Sequence, residues 1–147
     1  MFYESEVFKK FIDGAKDKIG EWQKKGVNFL IYGAGEHSAQ LLKHIDIKEG
    51  LLGFIDKSEI KQREGFLGYK VYSLDKISTT HFRGCPEFPI FNLGIIISSY
   101  EYQDAIYESI KHLETEGVEI VRLYDKREHI DAFKNLYKSG VRSQESG

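Results

Sequence analysis

The chain is poor in several things that would otherwise decide its class. It has a single cysteine, Cys85, in 147 residues, so no internal disulfide can form and a reducing compartment is expected. It has two prolines, Pro86 and Pro89, both in one stretch, so the remaining chain is free to form regular elements. Its uninterrupted apolar runs fall far short of the ~20 residues of a membrane-spanning helix, and no membrane span is expected. The opening MFYESEVFKKF is charged throughout and carries no apolar core of signal-peptide type. Net charge is only −2, which gives no reason to expect nucleic acid as a partner. These features together predict a cytoplasmic globular domain.

What the chain does have is alternation. Apolar residues at Val7, Phe8, Phe11, Ile12, Ala15, Ile19 and Trp22 predict a helix over residues 4–25 with one buried stripe, stopped at Gly26. "VNFLIYG" (27–33), "GLLGFID" (50–56) and "LGIIISS" (93–99) read as buried strands, and "VEIVRLY" (118–124) as a fourth strand. Helices are expected between them, one through Ala39, Leu41, Leu42 and Ile45 and one through Tyr102, Ala105, Ile106, Ile110 and Leu113. Residues 57–68 read as a polar loop, 69–77 as a short strand with a turn of helix, and 80–92 as an irregular connection. A last helix is marked by Ile130, Phe133, Leu136 and Tyr137. Strands alternating with helices predict an α/β fold, a Rossmann-like doubly wound and mostly parallel sheet. It is expected to form one domain over residues 1–138, followed by a disordered tail over 139–147.

With 14 glycines, one Gly-x-Gly is expected roughly once by composition alone, so the tripeptide Gly33-Ala34-Gly35 says little by itself. Its position says more, because it follows the first buried strand and opens a helix. There the backbone N–H groups and the positive end of the helix dipole suit a phosphate. Gly33 would permit the tight turn and Gly35 the close approach of a pyrophosphate. Ser38 stands where the third glycine of the dinucleotide fingerprint usually sits; it is small enough for helix–strand packing, and could also cap the helix or donate to a phosphate. Asp56 ends the second strand about 20 residues on, where an acid commonly takes ribose hydroxyls. His37 lies in the turn, facing either a ligand or solvent, and Glu36 would oppose a phosphate unless it points away. Ser98 and Ser99 end the third long strand on the same sheet edge, as ligand contacts or as a helix cap. The alternative for the whole constellation is a tight βα turn with Asp56 capping a loop.

The stretch "FLIYGAGEHSAQLLKHI…LLGFIDK…GYKVYSLDKI…GIIISSYEYQDAIYESIKHLETEGVEIVRLYD" resembles the Rossmann-like domains attached to bacterial sugar-nucleotide and polysaccharide-biosynthesis enzymes. Two types are similar: the NAD-binding-like N-terminal domain of nucleotide-sugar dehydratases, and the N-terminal domain of sugar-nucleotide acyltransferases. The resemblance spans roughly residues 27–125. It implies that Gly33, Ala34, Gly35 and His37 line a nucleotide's phosphates and that Asp56 and Lys57 meet its nucleoside end. The ligand would be NAD(P) or a nucleotide-sugar of the UDP-sugar type. Both types often carry a second acid where this chain has Lys57, which leaves the nucleotide's identity open. The left-handed β-helix of the acyltransferases is missing.

Catalytic signals are weak. Tyr-x-x-x-Lys, in which the lysine lowers a tyrosine's pKa, occurs at Tyr72/Lys76 and Tyr107/Lys111, against about one occurrence by chance. The five histidines show no pair at metal-ligand spacing, and Cys85 has no evident base. The expectation is therefore a nucleotide-binding module, accessory or regulatory in sugar metabolism. Sugar-biosynthesis enzymes are its expected partners, and a homo-oligomer its expected assembly. The alternatives are a small oxidoreductase or sugar-nucleotide-modifying enzyme completed by another chain, and an interaction domain whose glycine turn is empty.

Overall fold

The computed structural model describes residues 2–47, 49–77 and 92–124. The expected connection over 80–92 with Cys85, the helix through Ile130–Tyr137 and the tail over 139–147 lie outside the described residues. After a 3₁₀ turn at Phe2–Glu4, helix α1 runs Glu6–Lys25. It starts where the Ser5 hydroxyl accepts the Phe8 N–H and ends on a left-handed Gly26. Then follow β1 (Asn28–Tyr32), α2 (Glu36–His44), β2 (Leu51–Ile55), α3 (Glu59–Glu64) and β3 (Val71–Tyr72). A 3₁₀ turn at Leu74–Ile77 comes next, and beyond it β4 (Leu93–Ile97), α4 (Gln103–Ile110) and β5 (Glu119–Arg122).

All four strand pairings are parallel and the order is β3-β2-β1-β4-β5. This is the doubly wound α/β fold. The chain winds outward from β1 through β2 to β3, then returns to place β4 on the other side of β1. Between β1 and β4 the winding reverses, and there the crevice at the carboxyl ends of the strands opens.

Side chains of successive strand residues go to opposite faces, so each strand feeds two cores. On one face Phe29, Ile31, Phe54 and Ile96 meet the stripe of α1 (Phe8, Phe11, Ile12, Ala15, Ile19, Trp22) and Leu41 of α2. On the other, Leu30, Tyr32, Ile55, Ile95 and Ile97 meet Ile110 and Leu113. Each large apolar side chain so buried stabilises by roughly 1.5–3 kcal/mol as an upper bound. Trp22 is fully buried and lies against Gly94 of β4, where an added Cβ would be 2.6 Å from its ring. Its Nε1 donates to Glu119 at 2.8 Å, and Lys18 donates to the same carboxylate at 2.7 Å. Helix α1 is thereby tied to the far edge strand.

The polar stretch 57–68, expected as a loop, contains α3. Ser58 caps it by accepting the Lys61 N–H, and none of its residues is buried. A short helix with no buried residue has no apolar period, so capping alone marks it. Among the described residues no helix is long and apolar enough to cross a membrane.

Candidate functional site

A cavity of about 550 Å³ opens at the carboxyl edge, where the winding reverses. Tyr32 and Gly33 from the end of β1 line it, with Asp56 and Lys57 from the end of β2. Leu74, after β3, and Ser99, after β4, extend the wall, and Tyr102, Ala105, Ile106 and Ser109 complete it from α4 and the residue before it. Such a volume lies within the ordinary range for small-molecule sites.

Of the residues singled out in the sequence, Gly33, Asp56, Lys57 and Ser99 meet in this lining. Asp56 is half-buried. Its Oδ2 accepts the Ala34 N–H and its Oδ1 the Ser58 N–H, both at 2.9 Å. An ionised carboxylate has about four acceptor positions, so two backbone donors leave it able to accept from a ligand hydroxyl. Ser99 accepts the Tyr102 N–H at 3.2 Å, closing the turn that leads into α4. Tyr32 is 5% exposed. Burial raises its phenol pKa and the Asp56 charge adds to the rise, with a Ser109 hydrogen bond opposing both.

The other five predicted residues surround the glycine turn from different sides. Ser38 is fully buried, and its hydroxyl donates to the Gly33 carbonyl while meeting the Ser98 hydroxyl at 2.6 Å. The Ser98 hydroxyl also lies 3.2 Å from the Tyr32 carbonyl, so two hydroxyl protons are shared among three contacts. This pair staples the end of β1 to the end of β4 beneath the turn, and the α2 cap falls instead to Gly35, without a side-chain bond. Ala34 is buried. His37 turns away from the cavity to bond Tyr124 OH through Nδ1, and lies edge-on to the Tyr3 ring at 5.6 Å. Burial lowers its pKa, against the opposing charges of Glu36 and Glu101. The same enclosure pushes the Tyr124 phenol up. Glu36 is exposed and accepts from Gln40 along the helix surface.

The two glycines of the turn differ. Gly33 has φ +116°, and a Cβ there would meet Ser98 Oγ at 3.0 Å, so the fold itself requires glycine. Gly35 has φ −149°, which other residues adopt, and a Cβ there would meet nothing within 4 Å. Neither conformation nor packing within the described residues demands a glycine at that position.

Lys61 was not singled out in the sequence. From α3 it donates to the Ala34 carbonyl, setting a cation beside the turn. Its only sequence signal was the Ser58 cap placing it in a helix. Tyr32, Leu74, Tyr102, Ala105, Ile106 and Ser109 likewise line the cavity without having been expected there. At the suspected catalytic pair, Tyr107 donates to Glu114 at 2.7 Å while Lys111 pairs with Glu108 at 2.6 Å. The Glu114 bond raises the Tyr107 pKa, the reverse of what proton transfer by this tyrosine needs. Among the described residues no cluster of three or more His, Cys, Asp or Glu could hold a metal ion.

Residues 26–121 match the model of the C2185-like N-terminal domain, more than half of the chain. The chain belongs to that family. The matched C2185-like region runs from the end of α1 into β5 and contains every residue of the cavity lining. Helix α1 lies outside it, although α1 supplies much of one core. No curated protein and no solved structure matches the chain.

Proposed function

We propose that the chain binds a nucleotide, of NAD(P) or nucleotide-sugar type, across the carboxyl edge of its sheet. The observation that carries this reading is Gly35: a glycine with unstrained backbone, nothing beside it, and an uncapped nine-residue helix starting next to it. A phosphate seated there would meet the first turn of α2 and the positive end of its dipole. Lys61 adds positive charge nearby, and Glu36 leans on Gln40 along the helix surface. The nucleoside would occupy the adjoining cavity, with Asp56 accepting from ribose hydroxyls and Lys57 beside it. The resemblance to sugar-nucleotide domains supports an accessory or regulatory role in bacterial sugar or polysaccharide metabolism.

A second reading rests on the turn's own bonds. Asp56 takes the Ala34 N–H and Lys61 the Ala34 carbonyl, as in a closed turn of an interaction domain. A thermal-shift screen against NAD, NADP, UDP- and GDP-sugars, CoA and free nucleotides separates the two. A ligand at 100 times its Kd stabilises by about 2.7 kcal/mol, a rise of several degrees. Gly35→Asp is the control, because its carboxylate can cap α2 while repelling a phosphate. A rise with one ligand class, lost in the control, supports nucleotide binding. No rise with any of them leaves the closed turn.

A further inference from the structure

The nucleoside end of the cavity has its own chemistry. Tyr102, Ala105, Ile106 and Ser109 follow helical spacing, so α4 and the residue before it turn one face to the cavity, with Ile106 also packed against the core. Tyr102 is 65% exposed, one of the few large apolar side chains the described residues leave in solvent. It contributes nothing to either core, yet it stands at the rim of the cavity, whose wall also includes Leu74 and Ile106. An aromatic ring in this position offers a flat, wettable face above an apolar slot.

Of the polar side chains in the lining, the nucleotide reading gives the Asp56–Lys57 pair to the ribose, and Ser99 already accepts the Tyr102 N–H. The polar groups present are hydroxyls and the Asp56–Lys57 pair at the end of β2. A base held here is therefore recognised by its face, and stacking does not depend on edge chemistry. Resting on the nucleotide reading above, we propose that Tyr102 stacks on the nucleobase and makes the chain favour purine over pyrimidine nucleotides. The wider ring system gains more from the same aromatic face.

Calorimetric titration of the full chain with ADP, UDP and ribose 5-phosphate tests this in the wild type, Tyr102→Ala and Tyr102→Phe. The exposed position makes both variants fold as the parent does. Tyr102→Ala is expected to weaken ADP binding by about five- to a hundredfold, the range for loss of one stacked base. It should weaken UDP less and leave ribose 5-phosphate unchanged, while Tyr102→Phe stays close to wild type with all three. Unchanged ADP affinity in Tyr102→Ala, or an equal loss for ribose 5-phosphate, overturns the stacking role and leaves nucleotide binding standing. Wild-type protein that binds ribose 5-phosphate as tightly as ADP overturns the base pocket alone. A wild type that binds none of the three overturns the stacking proposal, and the thermal-shift screen with NAD(P) and nucleotide-sugars decides the nucleotide reading separately.

Discussion

Replacing each glycine of the turn by alanine, one at a time, separates a residue held by the fold from one held for something outside it. At Gly33 the added methyl faces a φ of +116° and the Ser98 Oγ at 3.0 Å. Backbone strain of that kind costs about 1–3 kcal/mol. Ser98 cannot yield freely, because its hydroxyl is bonded to Ser38 and to the Tyr32 carbonyl. Loss of one such bond adds about 1 kcal/mol, so Gly33→Ala should destabilise by about 2–4 kcal/mol. At Gly35 two small effects oppose each other. Alanine is a poorer helix cap than glycine by about 0.5–1 kcal/mol. It also lowers the entropy of the unfolded chain, which returns about 0.4–1 kcal/mol. The net change should lie within about 0.5 kcal/mol of zero. Urea denaturation followed by circular dichroism measures both, provided the slope m is the same across variants. The Gly33→Ala midpoint should fall by on the order of 1–2 M while that of Gly35→Ala stays in place. Equal losses at the two positions would refute the reasoning, because Gly35 would then be a structural glycine like its neighbour. The nucleotide reading would lose the observation beneath it.

Two further outcomes test the fold around the site. Gly94→Ala drives a methyl to 2.6 Å from the Trp22 ring, which its bond to Glu119 holds in place, and should cost about 1–3 kcal/mol. Thermal melts measure the loss, and the emission of Trp22, the sole tryptophan, should shift with it. The His37 pKa is lowered in the folded state, chiefly by burial, so the unfolded chain binds the proton more readily. That sign means stability is complete above the ordinary histidine value of 6.5 and is lost as pH falls below it. His37→Gln, which can still bond Tyr124 OH, should flatten the Tm profile between about pH 7 and about pH 5; an unaltered slope would locate that acid sensitivity elsewhere.

Much of the fold was legible because its elements announce themselves locally. The α1 stripe recurs at helical spacing, and the strands of a sheet buried on both faces are continuous apolar runs. The alternation and the right-handed crossover rule narrow the topologies to a few, and the order itself comes from the structure. α3 escaped because six solvated residues have no apolar face to repeat. The cavity was half legible for a related reason. A parallel sheet gathers its strand ends on one edge, so Gly33, Asp56, Lys57 and Ser99 could be placed together from their positions after strands. The α4 wall could not. Tyr102, Ala105, Ile106, Ile110 and Leu113 read as one stripe, yet only Ile110 and Leu113 are fully buried, while Ala105 and Ile106 line the cavity. Periodicity reports that a face is apolar and is silent on what covers it.

The serines carry the same lesson to the turn itself. The sequence offers Ser38 a place in helix–strand packing, a helix cap or a phosphate, and Ser98 a ligand or a cap, but neither spacing nor residue type pairs two hydroxyls 60 residues apart. Brought together, they hold the Gly33 and Tyr32 carbonyls from below, while Asp56 and Lys61 hold Ala34 from the side. Every bond in this set restrains Tyr32, Gly33 or Ala34, and none of them reaches Gly35. A turn built only to reverse the chain would gain from a side-chain cap at that next position, where Ser or Asp outperforms glycine. Fixing three successive residues and leaving the fourth bare suits a rigid cradle, since a site that is pre-organised does not have to be ordered again when its ligand arrives.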